Sequence, residues 1–101
     1  MASYNVLVQH RLGGAAARSR VERFLDDVQR DYAAYLSNAD GEWIGNRLQF
    51  TFLATGLSIS GAMVVEEESV HVSGPLPLAA AFFRGRIEQT IRDELTRLLS
   101  S

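Results

Sequence analysis

The sequence contains no lysine and no cysteine, and all ten of its basic residues are arginine. Without lysine there is no Schiff base, no pyridoxal anchor and no Walker-type phosphate loop. Without cysteine there is no disulfide framework, thiol nucleophile or thiolate metal site. The two histidines, His10 and His71, lie far apart in predicted strands, and no HExxH-like metal spacing occurs. No G-x-S-x-G elbow surrounds any serine. The acidic run Glu66-Glu67-Glu68 lacks the alternating Asp/Asn pattern and central glycine of a calcium loop and reads as a turn. The longest apolar run, Pro75 to Phe83, falls well short of the ~20 residues a membrane helix needs. These absences point to a chain with no catalytic residues, no metal and no cofactor.

What is present is an ordinary globular composition: 101 residues, 47% hydrophobic and 22% charged, with a net charge of −2. The length fits one domain, residues 1–101, whose single core is feasible without staples. A pI near 5.6 argues against nucleic acid, whose binding domains tend to lie above ~9. The start, Met1-Ala2-Ser3-Tyr4-Asn5, lacks the basic and apolar regions of a signal peptide, so cytoplasmic placement is expected. Arginine-only basic usage with abundant alanine suggests a GC-rich bacterial source.

Periodicity predicts the order β-α-β-β-β-β-α. Residues 3–10 form a strand with Tyr4, Val6, Val8 and His10 on one face. A long helix is expected over Ala15 to Leu36, striped by Ala17, Val21, Phe24, Leu25, Val28, Tyr32, Tyr35 and Leu36. Its start is ambiguous, because Ser19 with Glu22 also matches a capping box. Arg23–Asp27 and Asp26–Arg30 are its expected i, i+4 pairs. Ser37 to Gly41 reads as a turn. Short strands follow: 42–44, then 47–54 with Leu48, Phe50 and Phe52 inward, then 57–66 with Leu57, Ile59, Met63 and Val65 inward. Val70 and Val72 continue the inward face in the last strand. A final helix runs from Leu78 to Leu99 with Phe83, Ile87, Ile91, Leu95 and Leu98 as its stripe. The economical packing is an α+β two-layer sandwich: an antiparallel sheet with two helices on one face. A sheet curved around the last helix is a close variant.

A few residues stand out from this frame. Helical spacing places Arg84 partly on the buried side, where it either snorkels and pairs with Glu88 or joins Arg86 in an anion-binding or partner patch. Trp43, the sole tryptophan, packs in a short strand or marks a site. One stripe cannot bury both Phe82 and Phe83, so Phe82 either packs elsewhere in the core or belongs to an exposed apolar patch. Gly13-Gly14 is a plain turn or, less specifically, a helix start able to hold an anion.

Three stretches carry a resemblance. Trp43-Ile44-Gly45-Asn46-Arg47-Leu48-Gln49-Phe50, Gly56-Leu57-Ser58-Ile59-Ser60-Gly61 and Phe83-Arg84-Gly85-Arg86-Ile87-Glu88 stand in order and with the spacing seen in the polyhydroxyalkanoic-acid-system proteins, the PHA-granule-region family. The chain resembles that family over nearly its whole length, the last stretch being the most specific. Ile44 and Asn46 depart from positions that are usually acidic, and Gly13-Gly14 replaces a polar cap. The resemblance implies a bacterial cytoplasmic protein connected with polyester storage granules, with no established activity, cofactor or catalytic residue.

Together these readings lead to the expectation of a non-enzymatic accessory or binding protein of the polyhydroxyalkanoate system. Its candidate binding residues are Trp43, Phe82, Phe83, Arg84, Arg86 and Glu88, and its candidate partner is the granule surface or a granule protein. One alternative is a small-ligand carrier or minor enzyme with a cavity near Trp43 and Arg84. Another is a structural homodimer joined through the helix-free sheet face, which carries Asn5, Leu7, Gln9, Thr51, Leu53, Ser58, Ser60, Ala62, Val64 and His71.

Overall fold

Alternation of apolar and polar residues builds five strands: β1 (Ala2–Gln9), β2 (Leu36–Ile44), β3 (Arg47–Ala54), β4 (Leu57–Val65) and β5 (Ser69–Leu76). In a computed structural model, which describes residues 2–100, these strands form one antiparallel sheet in the order β1-β5-β4-β3-β2. The helices are α1 (Gly14–Arg20), α2 (Phe24–Asp31) and α3 (Arg84–Ser100). A 3-10 turn, Leu78–Phe83, leads into α3. The inward strand residues and the helix stripes meet in a single core: Val6, Phe50, Ile59, Met63 and Val72 from the sheet pack with Val21, Phe24, Ile91 and Leu95 from the helices. The fold is thus the expected α+β sandwich in the expected order, with α1 and α2 together standing for the first helix.

Register explains how the sheet is shaped. One transverse row runs Val6, Val72, Met63, Leu48, Trp43 across all five strands. The next row reads Tyr4 opposite Gly74 and then Phe50 between Gly61 and Gly41. The β4–β5 ladder ends at Ala62 and Ser73, but the backbones stay pressed together at Gly61 and Gly74, where a Cβ on Gly74 would lie 2.8 Å from the Gly61 Cα. Tyr4 occupies the space there. Its hydroxyl donates to the Ser60 carbonyl at 2.8 Å, and a Cβ on Gly61 would run into that hydroxyl and come within 2.9 Å of the Phe50 ring. Two glycines therefore make room for one buried tyrosine that ties β1 to β4 across β5. The burial also pushes the Tyr4 phenol pKa up.

The structure corrects several local expectations. The helix expected over 15–36 is interrupted: helical bonding lapses at Val21–Arg23, where the Phe24 amide bonds the Val21 carbonyl at 3.0 Å. The stripe survives the break, because Ala17, Val21, Phe24 and Val28 are all buried. The chain leaves α2 at Tyr32, and Ser37–Gly41 is not a turn but part of β2. Its turn-forming residues are absorbed by a register shift between Ser37 and Asp40, with Asn38 in the left-handed region at φ 53°. Asparagine tolerates that conformation, and a bulge accommodates it within an edge strand. The last helix begins as α3 only at Arg84, the preceding residues forming the 3-10 turn. Arg30 pairs with Asp27 and Asp31 rather than with Asp26.

Candidate functional site: an apolar rim and a cleft beside Arg86

The Pro-rich connection into α3 is the most apolar exposed part of the molecule. Within the 3-10 turn only Ala80 is buried, while Leu78 and Phe82 are 83% and 94% exposed and Phe83 is 51% exposed. Side chains three residues apart eclipse in a 3-10 turn and so share a face, and Ala80 with Phe83 takes the inner face here. Phe82 is left without a core contact, so of the two arrangements open to it in the sequence, the exposed patch is the one formed.

Behind this rim lies a cleft of about 390 Å³ between α2, α3 and the β3–β4 end of the sheet. Phe24, Phe52, Ile59 and Ile91 form its buried walls, and Tyr32, Tyr35, Phe83, Arg86, Ile87 and Thr90 stand around them. The Thr55-Gly56 hairpin turn contributes Thr55. Both turn residues have positive φ, 48° and 85°, the signature of a tight two-residue hairpin. The Tyr32 hydroxyl pKa is raised by burial and by the nearby Glu94, Asp93 and Asp31 carboxylates.

The six candidate residues do not converge. Phe83 and Arg86 line the cleft, and Phe82 lies on the rim outside it. Arg84 is exposed and not partly buried as expected, because the helix starts at this residue and turns it outward. Glu88 does not pair with Arg84. It accepts a 2.8 Å hydrogen bond from the Asn5 amide, while Arg92 donates to the Leu7 carbonyl at 3.0 Å, so α3 covers the free edge of β1. Trp43 lies elsewhere, under the Arg18 guanidinium at 3.6 Å from the ring centroid. Arg18 also donates to the Gly45 carbonyl, and the cation–π contact pins α1 to the β2–β3 hairpin. The cavity expected near Trp43 and Arg84 is therefore replaced by the one beside Phe83 and Arg86.

Other polar groups prove to be bracing. His10 is buried, bonds the Glu66 carbonyl through Nε2 at 3.0 Å and accepts from the Leu12 amide at Nδ1. His71 contacts the Asn5 amide oxygen on the helix-free face. Glu67 accepts from the Gly14 amide at 3.1 Å, so the anion at the α1 start comes from the acidic turn of the same chain. Asp27, Asp31, Glu94, Arg30 and Arg97 form an ion-pair network between α2 and α3, with Arg97 bonding Glu94 at 2.7 Å and Asp27 at 3.2 Å. Among the described residues no cluster of ligating side chains is placed to hold a metal ion, and no helix is long and apolar enough to cross a membrane.

A family model described as "Putative polyhydroxyalkanoic acid system protein" matches residues 5–99. The chain belongs to this polyhydroxyalkanoic acid system family. Comparison with curated proteins and with solved structures found no match. The resemblance expected from sequence is thus shown, and the structure distributes its most specific stretch over three environments. Of Phe83 to Glu88 in this family member, Phe83, Arg86 and Ile87 face the cleft, Arg84 faces solvent and Glu88 guards β1. The cleft itself was not legible from that stretch, because half of its wall comes from α2 and from the β3–β4 hairpin. The one signal for it was the surplus of apolar positions, Tyr32, Tyr35 and Leu36, at the end of the first helical stripe.

Proposed function

We propose that this chain is a non-enzymatic binding protein of the bacterial polyhydroxyalkanoate storage system that docks on the apolar granule surface through Leu78, Phe82 and Phe83. The observation that carries the reading is the near-complete exposure of Leu78 and Phe82 on the 3-10 turn that leads into α3, on either side of buried Ala80. Monomeric proteins seldom leave adjacent large apolar side chains in water without a surface for them to meet. Membership of the family supplies the storage-system context. The location that follows is the cytoplasm, at the granule boundary.

The test is sedimentation of purified protein with polyhydroxyalkanoate granules. Phe82→Asp should shift the protein from the granule pellet to the supernatant without lowering its melting temperature, since Phe82 has no core contact. Equal partition of wild type and variant would overturn the surface role. A second reading, a small-ligand carrier, is favoured by the cleft beside Phe83 and Arg86.

A further inference from the structure

The cleft differs in chemistry from the rim. Its volume, about 390 Å³, falls within the roughly 300–1,000 Å³ typical of small-molecule sites, and its walls are apolar. At its mouth stands Arg86, exposed and making no ion pair or hydrogen bond among the described residues. Its position is electrostatically awkward. Arg84 and Arg86 occupy the first turn of α3, which contains no acidic residue, so two cations stand close together with no carboxylate beside them. Glu88, the next carboxylate along α3, is engaged by the Asn5 amide. An uncompensated guanidinium beside an apolar cavity is complementary to an anion that carries an apolar tail. The Thr90 hydroxyl on the same lining adds a donor for such a head group, whereas the Thr55 hydroxyl is spent on the Ala54 carbonyl at 2.7 Å.

We infer that the cleft binds a single-chain aliphatic carboxylate, with its hydrocarbon against Phe52, Ile59 and Ile91 and its carboxylate on Arg86. This rests on the carrier reading and is separable from the surface reading: the two share Phe83, but Phe82 takes no part in the cleft.

Amide NMR titration of the whole protein with hexanoate, octanoate and decanoate, each below its micelle concentration, tests the assignment. Saturable shifts should map to Phe52, Ile59, Ile87 and Thr90. Affinity should rise about fourfold per added methylene, so roughly fifteenfold from hexanoate to octanoate. Arg86→Gln should weaken octanoate about tenfold with an unchanged melting temperature, and Ile87→Trp, which fills the mouth, should abolish the shifts. Phe82→Asp should leave binding intact, which separates this result from the granule assay. The inference is overturned if no saturable shifts occur, if they map to Leu78 and Phe82, if Arg86→Gln binds as well as wild type, or if 1-decanol binds as tightly as decanoate.

Discussion

Tyr4 shows how much a single residue holds in place. It fills the space left by Gly61 and Gly74, and its hydroxyl supplies the Ser60 carbonyl with a partner just beyond the end of the β4–β5 ladder. Gly61→Ala forces a methyl group against the Tyr4 hydroxyl, the Phe50 ring and the Ser73 carbonyl, and should cost about 1–3 kcal/mol, the usual range for overpacking. Tyr4→Phe removes the hydroxyl and should cost about 1 kcal/mol through the lost hydrogen bond. Because the two changes meet at one atom, the double variant should be more stable than the sum of the single losses implies. Urea denaturation of the four proteins checks this, and strict additivity would refute the contact. Thr55 illustrates the opposite case: a β-branched residue held at φ 48° in a turn, where its amide bonds the Tyr35 carbonyl at 2.9 Å and thereby ties the hairpin to the turn just before β2.

At the scale of elements, α2 and α3 are joined by buried charge. Burial pushes the Glu94 pKa above its ordinary 4.5, against the opposing pull of Arg97, while Arg30 holds Asp31 below its ordinary 3.8. The signs differ. Glu94 favours folding when protonated, so its contribution is fully present below pH 4.5 and is lost as pH rises through its elevated folded value. Asp31 contributes above pH 3.8 and loses that contribution as pH falls through its lowered folded value. Glu94→Gln should therefore melt higher than wild type at pH 7, with the gap closing as pH falls towards 4.5. Thermal unfolding by circular dichroism across that window checks it, and parallel pH curves for the two proteins would contradict the assignment.

The elements were readable where one physical signal ruled. The alternation of Leu48, Phe50 and Phe52 and of Ile59, Met63 and Val65 dictates both strand and face, and all six are buried. It failed where two signals competed. Asn38, Asp40 and Gly41 carry turn chemistry, but strand pairing with β3 outweighed it and left a bulge. The stripe from Ala17 to Val28 is helical in spacing, but its continuity hid the lapse at Val21–Arg23, since a short turn preserves the buried face. The rim was legible as an apolar excess around Phe82 and Phe83, and the cleft only as the apolar surplus at Tyr32, Tyr35 and Leu36. Which side of α3 each residue faced depended on the helix starting at Arg84, and on β1 taking Glu88 for its own edge.

Taken whole, the molecule has two sheet edges and one bare sheet face. The helix-free face forms a broad open trough lined by Asp40, Arg47, Thr51, Ser60 and Ser73 among others, with Leu7 half-exposed beside it. A homodimer joined here remains a proposal, to be tested by light scattering at high concentration. The β1 edge is a different matter, because Glu88 and Arg92 occupy its outward amide and carbonyl. An uncovered edge is a template for another strand. Replacing both residues by alanine should leave the core unchanged but promote self-association on standing, measurable as growing light scattering and thioflavin fluorescence. A double variant as monodisperse as wild type would refute the protective role.

The same arrangement governs the order in which the chain can assemble. β2, β3 and β4 are joined by tight hairpins and pair with neighbours in sequence, so they can form early in synthesis. β1 pairs only with β5, Ala2 reaching across to Leu76, and its other edge is closed by α3. β1 therefore has no strand partner until β5 has been made. Until then a strand of alternating Tyr4, Val6 and Val8 lacks its ladder, and until α3 is also in place its outer edge is open to another strand.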